Sequence, residues 1–387
     1  MEICSKTSCT GCGACAYVCV KNCIEMKENH IGIIYPFIDE SKCINCCRCK
    51  SICPQNNSAK FRNPIKAYAA WSSDEEERRT SASGGIAAEL YKLAINQKLF
   101  VVGAISNSDF SVSQVIGKSE SDIIKMKNSK YVFSTAYNLY GTLAAELQKN
   151  HDIIVIGLPC QVAAIENLFP KYRNQLTLVD VVCHGTTPFS YLQQHIKMLE
   201  KQYEKRACKM FFRDPETYTY TYTFTLYDQE GNRFYSQRTK DGDTYQFGYH
   251  RTISYRENCY QCKYACEKRI SDITLSDYKG LGRLAPCDFT NEKVSSILVN
   301  TSKGEAWIEE LIRKNCIVAH ERPVQEPVLG DAQLQHPSVK GKARYDFEKY
   351  IRRYDGDFEK SMKSVIRNER IRNLPRRLKS YVKRLIR

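Results

Sequence analysis

The 387-residue chain has no run of about eighteen apolar residues, which is the length that a membrane-spanning helix needs. Its N-terminus, Met-Glu-Ile-Cys, has no basic stretch followed by an apolar one, so a secretory leader is not indicated. It also has no combined aromatic and basic motif of the kind that RNA- and DNA-binding domains use. These absences predict a cytoplasmic protein without a spanning segment, and nucleic acid is not an expected partner.

Cysteine is abundant instead: the chain has nineteen cysteines, and eleven of them lie in residues 4–53. Two runs share the spacing Cys-x-x-Cys-x-x-Cys-x-x-x-Cys, namely Cys9, Cys12, Cys15, Cys19 and Cys43, Cys46, Cys49, Cys53. In the two-cluster pattern of bacterial ferredoxins, which this stretch resembles, the fourth cysteine of each run binds the other run's cluster. We therefore assign one [4Fe–4S] cluster to group 1 (Cys9, Cys12, Cys15 and Cys53) and a second to group 2 (Cys43, Cys46, Cys49 and Cys19). Clusters held by thiolates indicate a reducing compartment.

Zinc is the alternative occupant of these runs, because Cys-x-x-Cys pairs also suit zinc. The doubled four-cysteine run favours iron–sulfur clusters, since zinc sites tolerate more variable spacing. Val20 stands where the first run usually has a proline, a change that removes no ligand. Cys4, Cys23 and Cys47 fall outside the pattern and are predicted to be spare thiols.

An α/β region follows a polar linker over residues 55–64. Continuous apolar runs predict strands, and apolar residues at helical spacing predict helices between them. The predicted strands are Ala67–Trp71, Leu99–Ile105, Ile153–Gly157, Leu176–Val182 and Ser295–Asn300. The predicted helices are Ile86–Asn96, Ser134–Lys149 and Gly304–Lys314. The alternation indicates an α/β layer architecture, so the fold class is α+β for a small ferredoxin-like domain followed by α/β for a larger domain.

Alternating Thr and Tyr over Thr217–Tyr227, a turn at Glu230-Gly231-Asn232 and the segment Arg233–Arg238 predict a β-hairpin. We interpret it as an edge ribbon rather than a tyrosine-based catalytic site, because β-propensity alone favours these residues. Beyond Pro337 the chain is charged and is predicted to be helical.

Two polar segments have the composition of a phosphate site. Ser81–Gly85 precedes a predicted helix, whose free N–H groups and dipole favour an anion. The same segment has an ordinary interpretation as a helix cap. The basic turn Lys127–Tyr131 is either a phosphate contact or a solvated loop.

Cysteine also follows two of the predicted strands. Cys160 lies in Gly-Leu-Pro-Cys-Gln after one strand, and Cys183 lies in Cys-His-Gly after the next. Ligands gather at the carboxyl ends of strands in α/β sheets, and a helix N-terminus stabilises a thiolate. Together with Cys259 and Cys262 these thiols form group 3, a candidate third [4Fe–4S] site, although each cysteine alone is as well explained by burial.

The ordered series of motifs resembles the family of the beta subunits of coenzyme F420-reducing hydrogenases and dehydrogenases. It comprises Ser81–Gly85, Lys127–Tyr131, Gly157–Gln161, Cys183–Gly185 and Asp272–Asp277, within about residues 65–315. The resemblance implies a flavoprotein that binds FAD beside a [4Fe–4S] cluster held by Cys160, Cys183, Cys259 and Cys262. It implies cofactor contacts from Ser81, Ser83, Gly84, Gly85, Lys127, Ser129, Lys130, Gly157, Pro159, Gln161 and Asp277.

The predicted domains are therefore 1–60 for two [4Fe–4S] clusters, 65–320 for FAD and a third cluster, and 337–387 for a basic helical tail. Cys266 and Asp272 compete with Cys183 as the fourth ligand of the third cluster. The family often has Asp-Phe-Trp-Gly where this chain has Asp277-Tyr278-Lys279-Gly280, so the contact there is open. His184 is the candidate catalytic acid nearest to the chemistry, although a histidine after a strand is more often structural.

These features predict an iron–sulfur, flavin-dependent oxidoreductase that passes electrons from a low-potential donor to a two-electron acceptor. The expected donor is a ferredoxin-type or other electron carrier. The expected acceptor is a small molecule or a glycan precursor in cell-surface polysaccharide biosynthesis, the latter by analogy with family members. Two alternatives stay open: an electron-transfer subunit whose catalytic partner is another chain, and a zinc-bearing nucleic-acid-binding protein.

The C-terminal tail supplies much of the net charge of +15, because residues 366–387 carry nine Lys or Arg and one acid. Its apolar stripe begins at Leu374 and runs through Leu378, Tyr381, Val382, Leu385 and Ile386. A basic amphipathic helix of this kind suits an anionic membrane surface, and peripheral association with the inner face of the membrane is one expectation. A solvated terminal helix or a nucleic-acid contact is the other.

Overall fold

The computed structural model describes residues 2–57, 60–217, 219 and 222–374. The first unit, which we call the cysteine module, spans residues 2–57. Its elements are α1 (Ala14–Tyr17), β1 (Ile24–Glu28), β2 (Ile34–Ile38) and α2 (Arg48–Ile52). β1 and β2 pair antiparallel, and the small core contains Ile3 and Ile24 packed among cysteines. So few apolar residues bury little surface, which is why inorganic clusters would add substantially to the stability of such a unit.

The larger unit is built on one mixed sheet of nine strands in the order β14-β3-β13-β12-β8-β7-β4-β5-β6. Its strands are β3 (Lys66–Ser72), β4 (Phe100–Ser106), β5 (Val112–Gly117), β6 (Ser134–Thr135), β7 (Ile153–Gly157), β8 (Leu176–Val181), β12 (Ile273–Asp277), β13 (Ser295–Val299) and β14 (Ile317–Arg322). The central strands β4, β7, β8 and β12 run parallel. The carboxyl ends of β7, β8 and β12 therefore meet at one edge of the sheet, where residues after each strand come together.

Helices cover both faces of this sheet, so its central strands are apolar throughout, as the burial of every residue in β7 illustrates. The helices are α3 (Glu75–Thr80), α4 (Ile86–Asn96), α5 (Glu120–Met126), α6 (Leu139–Gln148), α7 (Pro159–Leu168), α8 (Phe189–Tyr203), α9 (Thr244–His250), α10 (Ser302–Arg313), α11 (Gln325–Gly330), α12 (Lys342–Arg353) and α13 (Phe358–Asn373). One core contains Leu90 of α4 and Leu311 of α10, and the opposite core contains Leu143 of α6 and Val162 of α7.

A second, three-stranded sheet packs with the C-terminal helices in a separate core. Its strands are β9 (Lys209–Phe211), β10 (Thr223–Tyr227) and β11 (Arg233–Arg238), in the order β11-β10-β9. Phe224 of β10, Leu192 of α8 and Phe358 of α13 are buried in this core. His195 of α8 joins its layers, because one ring nitrogen lies 2.7 Å from Glu359 of α13 and the other 2.9 Å from Asp243 before α9.

The predicted fold class is confirmed: a small iron–sulfur type unit precedes a larger α/β unit with helices after it. Two predicted boundaries were wrong. The helix expected from Ser134 begins at Leu139, because Ser134 and Thr135 pair with β5 instead. The hairpin strand expected from Thr217 begins at Thr223, since Thr219 turns back and its hydroxyl donates to the carbonyl of Ser81.

No helix in the described part of the chain is long and apolar enough to cross a membrane. The amphipathic stripe predicted for the tail lies almost entirely in residues 375–387, outside the described residues. The proposed membrane contact and the three domain boundaries stay predictions.

Candidate functional site

The cysteine module brings group 1 together across its two cysteine runs. Burial, together with repulsion from the sulfurs of Cys9 and Cys53, raises the pKa of Cys12 to about 11. Burial also raises the pKa of Cys15, with added repulsion from Cys12, Cys9 and Cys53. The last cysteine of the second run therefore lies beside the first three of the first run, as the crossed ligand pattern predicts.

Group 2 has the reciprocal arrangement. Burial raises the pKa of Cys49, and Cys19 and Cys43 raise it further. Cys46, the remaining member, is exposed in the loop before α2. The fourth cysteine of the first run thus lies with the second run.

Two of the three cysteines predicted to be spare thiols lie against the groups. The sulfur of Cys23 is 3.3 Å from that of Cys19, and this hydrogen bond raises the pKa of Cys23 to about 11. Cys4 makes hydrogen bonds with Cys53 and Cys9 of group 1. Cys47 is exposed, as is the neighbouring Cys46 of group 2. The sequence pattern could not reveal the positions of Cys4 and Cys23, because neither has the run spacing.

Group 3 assembles at the carboxyl edge of the large sheet. Burial raises the pKa of Cys160 well above its usual range, and Cys262, Cys183 and Cys259 raise it further. Burial has the same effect on Cys183, which is repelled by Cys259 and Cys262. Four thiols from three distant segments therefore face one another. Each thiolate is costly when buried alone, so a bound cationic metal core would stabilise all four.

Neither competing fourth ligand lies with group 3. The Cys266 thiol donates to the carbonyls of Lys263 and Lys268 at 3.5 and 3.2 Å. Asp272 accepts hydrogen bonds from Arg173 at 2.7 Å, from the amide of Leu178 at 2.9 Å and from Thr301 at 2.8 Å. These contacts occupy the carboxylate in holding β8, β12 and α10 together.

Gly185 of the Cys-His-Gly motif has a steric reason to be glycine. A Cβ atom at this position would lie 2.2 Å from the Tyr255 ring. The ring packs against the backbone two residues after Cys183. The motif therefore fixes the position of a group 3 thiol through close backbone approach.

Groups 1 and 3 are neighbours across the junction of the two units. The Cys12 sulfur is close enough to Cys160 to raise the pKa of Cys160 further. Cys12 and the four cysteines of group 3 also line one cavity, here called the small cavity. The Tyr140 hydroxyl donates to the carbonyl of Cys12 at 2.7 Å, which ties α6 to the cysteine module. Asn167 of α7 adds a hydrogen bond to the carbonyl of Ile52 at 3.2 Å.

A cavity of about 610 Å³, here called the large cavity, lies on the other side of group 3. The segment 183–186 lines both the large cavity and the small cavity around group 3. Of the predicted cofactor contacts, Ser81, Ser83, Gly85, Lys127, Ser129, Lys130, Gly157 and Asp277 line the large cavity. The volume and the mixed polar and apolar walls suit a large organic cofactor.

Three predicted contacts lie elsewhere. Gly84 packs beneath the cavity wall, where its amide donates to Ser295 Oγ at 2.9 Å. Pro159 and Gln161 line the small cavity. Gln161 connects β6 to the start of α7. Its side-chain amide donates to Ser134 Oγ at 2.9 Å, and its side-chain oxygen accepts from the amide of Leu158 at 3.2 Å.

Positive charge and free helix N–H groups converge at one end of the large cavity. The first turn of α4 follows Gly85, whose φ of +89° is in the left-handed region that favours glycine. The Lys130 ammonium donates to the carbonyls of Met126, Lys127 and Asn128 at 2.8–3.2 Å, which folds the basic turn around it. Burial lowers the pKa of Lys130 to about 7. A helix N-terminus beside Lys130 is a suitable place for phosphate, while the ammonium of Lys127 lies 2.6 Å from the Glu77 carboxylate.

Arg213 forms a wall of the large cavity that the sequence did not reveal. Its guanidinium lies 2.8 Å from the Asp277 carboxylate, 2.5 Å from the Tyr131 hydroxyl and 4.1 Å from the centre of the Tyr222 ring. Burial works against ionisation of Asp277, but Arg213 and Ser83 lower the pKa of its carboxyl below the usual value. Arg213 follows a short strand without any motif, so no sequence signal marks it.

His184 faces the large cavity within a small polar cluster. Its Nε2 lies 3.2 Å from the Lys279 ammonium and 3.4 Å from the Asp331 carboxylate. Burial and Lys279 lower the pKa of His184, and burial lowers the pKa of His250 across the cavity to about 4. Both imidazoles are therefore neutral near pH 7. Lys279 donates to His184, so the chain itself supplies a proton donor at the position where the family often has tryptophan.

No group of three or more His, Cys, Asp or Glu among the described residues converges tightly enough to hold a single metal ion. A structural zinc site needs four donors at about 2.0–2.3 Å from one point.

Comparisons with known proteins follow the same division of the chain. Residues 8–57 match the model of the 4Fe-4S dicluster domain. Residues 150–324 match the model that describes the C terminus of the coenzyme F420 hydrogenase/dehydrogenase beta subunit.

Two curated relatives come from Methanosarcina mazei and Methanocaldococcus jannaschii. One subunit of the F(420)H(2) dehydrogenase of Methanosarcina mazei is 22% identical over 187 residues, which is 46% of this chain and 53% of the relative. The coenzyme F420-dependent sulfite reductase of Methanocaldococcus jannaschii is 26% identical over 175 residues, which is 44% of this chain and 27% of the relative. The matches thus span about half of the first relative and about a quarter of the second.

A chain of the F420-reducing [NiFe] hydrogenase complex from Methanosarcina barkeri aligns with 80% of this chain and 93% of its own length, at 16% identity and a TM-score of 0.43. The two family models match separate parts of the chain, one in the cysteine module and the other in the larger unit. Residues 8–57 therefore belong to the family of 4Fe-4S dicluster domains, and residues 150–324 belong to the family described as the C terminus of the coenzyme F420 hydrogenase/dehydrogenase beta subunit.

Proposed function

We propose that this chain is an iron–sulfur flavoprotein in which groups 1, 2 and 3 each hold a [4Fe–4S] cluster and the large cavity holds FAD. The observation that carries the proposal is the shared wall: segment 183–186 contains a group 3 thiol and also lines the large cavity. A flavin, when bound, converts single electrons into a two-electron reduction. The four thiols of group 3 and the basic end of the cavity are the residues that would hold the two cofactors side by side.

The order of electron transfer follows from which groups are neighbours. The chain itself connects the two N-terminal groups. Cys15 of group 1 lies on α1, and Cys19 of group 2 follows just beyond the end of that helix. Cys12 adjoins Cys160, and Cys183 adjoins the large cavity. Electrons would therefore enter at group 2, near the exposed Cys46, and pass through groups 1 and 3. The potentials along this route depend on burial and on hydrogen bonds to the sulfurs.

The proposed donor is a ferredoxin-type carrier, and the proposed acceptor takes two electrons. The relatives' names point to coenzyme F420 as one two-electron partner. A small molecule or a glycan precursor is the other class, and the polysaccharide pathway and the cytoplasmic location remain predictions. At the cavity wall, Lys279 would donate a proton, and the neutral His184 beside it would hold one for the acceptor.

Anaerobic purification followed by iron, zinc and flavin analysis tests the proposal. We expect about twelve irons and about one FAD per chain, with visible absorption from both. Iron without flavin would reduce the chain to an electron-transfer role, and zinc alone would contradict the proposal. Assays of the reduced protein against coenzyme F420 and other two-electron acceptors would then identify the acceptor class.

An electron-transfer subunit is the second candidate function. One relative is itself described as a subunit, and the match covers about half of its length. In this case the large cavity would still bind a cofactor, but the reaction would be completed on a partner chain. Turnover that appears only after a second protein is added would favour this candidate.

Lys130 predicts a pH dependence of cofactor binding. Burial holds the pKa of its ammonium at about 7, and an anionic phosphate favours the charged form. The affinity for FAD should therefore be full below pH 7 and fall by roughly tenfold per pH unit as the pH rises above it. Titration of flavin-free protein with FAD between pH 6 and 9 measures the slope.

The Lys130→Met variant should bind FAD more weakly at pH 6 and lose this slope. Lys125→Met is the matched control, because Lys125 lies on the neighbouring helix α5 but is exposed and does not line the cavity. An unchanged slope in Lys130→Met would contradict the assignment of Lys130 to the phosphate.

A further inference from the structure

Arg256 is one of the largest fully buried side chains of the protein, with only 1% of its surface exposed. It lies in the turn before Cys259 and Cys262, where its amide donates to the carbonyl of Thr186 at 2.9 Å. The side chain points away from this turn into the junction between the larger unit and the cysteine module. A buried guanidinium is rare unless an opposite charge compensates it.

The contacts of Arg256 join the two units. One terminal nitrogen donates to the carbonyls of Ile34 at 3.2 Å and Cys9 at 3.4 Å, both in the cysteine module. Its Nε donates to the side-chain oxygen of Asn258 at 3.3 Å. The guanidinium also lies 4.3 Å from the centre of the Phe133 ring.

These partners are all neutral. Among residues 2–57, 60–217, 219 and 222–374, no Asp or Glu forms an ion pair with Arg256. The adjacent Glu257 pairs instead with Lys340 at 2.5 Å and Arg344 at 3.4 Å. Arg269, the other very large buried cation at this site, differs because its guanidinium lies 2.8 Å from Asp180. Burial of an uncompensated charge costs several kcal/mol. Arg256 therefore requires a negatively charged partner, and no Asp or Glu side chain of the described residues is one.

The thiols on either side of Arg256 belong to two different cysteine groups. The guanidinium donates to the backbone carbonyl of Cys9 in group 1, and its partner Asn258 donates from Nδ2 to the Cys259 sulfur of group 3 at 3.8 Å. The turn between Cys9 and Cys12 is also pressed against it, since a Cβ at Gly11 would lie 2.9 Å from its terminal nitrogen. A cubane with four thiolate ligands carries net negative charge, and two of them here would flank one cation.

We infer that Arg256 is the shared counter-cation of the group 1 and group 3 clusters and raises the reduction potential of both. This inference rests on the proposed function, because it needs both clusters. Reduction adds one negative charge to a cluster, and a fixed cation nearby stabilises the added charge. Arg256 is thus a positioning residue for electron transfer across the junction of the two units.

Redox titration of the holoprotein, followed by electron paramagnetic resonance, tests this role. Arg256→Gln removes the charge at similar length, and the equilibrium constant for one-electron reduction should fall roughly tenfold for the group 1 and group 3 clusters. Arg256→Lys keeps the charge and should retain most of both potentials. The group 2 cluster, on the far side of group 1, should be unaffected and serves as an internal reference. Cys160→Ala and Cys43→Ala identify the signals of groups 3 and 2.

Asn258→Asp provides a second variant in case Arg256→Gln does not fold with its clusters. The change introduces a carboxylate of nearly the same shape 3.3 Å from the Arg256 Nε, so it neutralises the cation without removing it. The group 1 potential should fall, as in Arg256→Gln, and it is the deciding readout, because Asn258 Nδ2 also lies 3.8 Å from the Cys259 sulfur and the new carboxylate would act on group 3 directly. An unchanged group 1 potential in Asn258→Asp would overturn the inference. Failure of the wild-type protein to show three titrating clusters would instead overturn the proposed function.

Discussion

Replacement of Cys160 by alanine is expected to remove the proposed third cluster while leaving the two proposed N-terminal clusters in place. Cys160 is half-buried and lines the small cavity with the other three thiols of group 3, and alanine offers no donor at its position. The iron content should fall by roughly four atoms per chain. Electron delivery from a reduced donor to the cofactor in the large cavity should fall on the order of a hundredfold or more. Iron analysis and stopped-flow absorption of the flavin measure the two effects.

Cys266→Ala is the matched control for this experiment. Its thiol lies four residues after Cys262 but donates to backbone carbonyls rather than facing group 3. Iron content and electron delivery should both stay at the wild-type level. Loss of iron in Cys266→Ala with full iron in Cys160→Ala would show that the fourth ligand has been wrongly assigned.

Removal of the buried His195 imidazole is expected to cause the largest loss of stability among single substitutions in the C-terminal core. Burial disfavours its charge, but Asp243 and Glu359 on either side raise its pKa to about 9. The unfolded pKa is about 6.5, so the charged form contributes about 3 kcal/mol. This contribution is fully present below pH 6.5 and is lost as the pH rises through 9. Urea unfolding followed by circular dichroism at pH 6, 7.5 and 9.5 measures the curve.

The His195→Gln variant should lose about 3 kcal/mol or more at pH 6, because two buried carboxylates are left without their cation. It should also lose the decline in stability between pH 6.5 and 9. His151→Gln is the control, since this histidine lies 2.7 Å from Glu146 but is 41% exposed, and exposed pairs contribute little. A wild-type stability that is flat from pH 6 to 9.5 would contradict the charged state of His195.

Local sequence patterns were sufficient for the elements that build the centre of the sheet. The strand predicted at Ile153–Gly157 and the helix predicted at Ile86–Asn96 have these bounds in the structure. Apolar runs and helical periodicity are local signals, and both elements are buried in the way their patterns require. The motif order was likewise enough to recognise the family, because cysteine spacing and the glycine turns are fixed by close backbone geometry.

The rest of the site depends on contacts between distant segments, which no local pattern records. Arg213 reaches the cavity from the second sheet, and it meets Tyr131 and Asp277 from two other segments. Arg256 contacts the carbonyl of Cys9, which lies 247 residues earlier in the chain. The alternation of Thr and Tyr suggested a longer strand than exists, because Thr219 is drawn into a contact with Ser81. Tertiary contacts outweighed strand propensity there.

The segment 183–186, which lines both cavities, would make ligand occupancy of the large cavity and the redox state of the proposed group 3 cluster interdependent. A molecule that binds more tightly when the adjacent thiolate-held core is reduced must, by thermodynamic reciprocity, make that core easier to reduce. The coupling needs no moving domain, since one stretch of backbone contacts both sides. Binding of such an acceptor in the large cavity would thus favour electron transfer toward that cavity. With the cavity empty, the transfer would be less favourable.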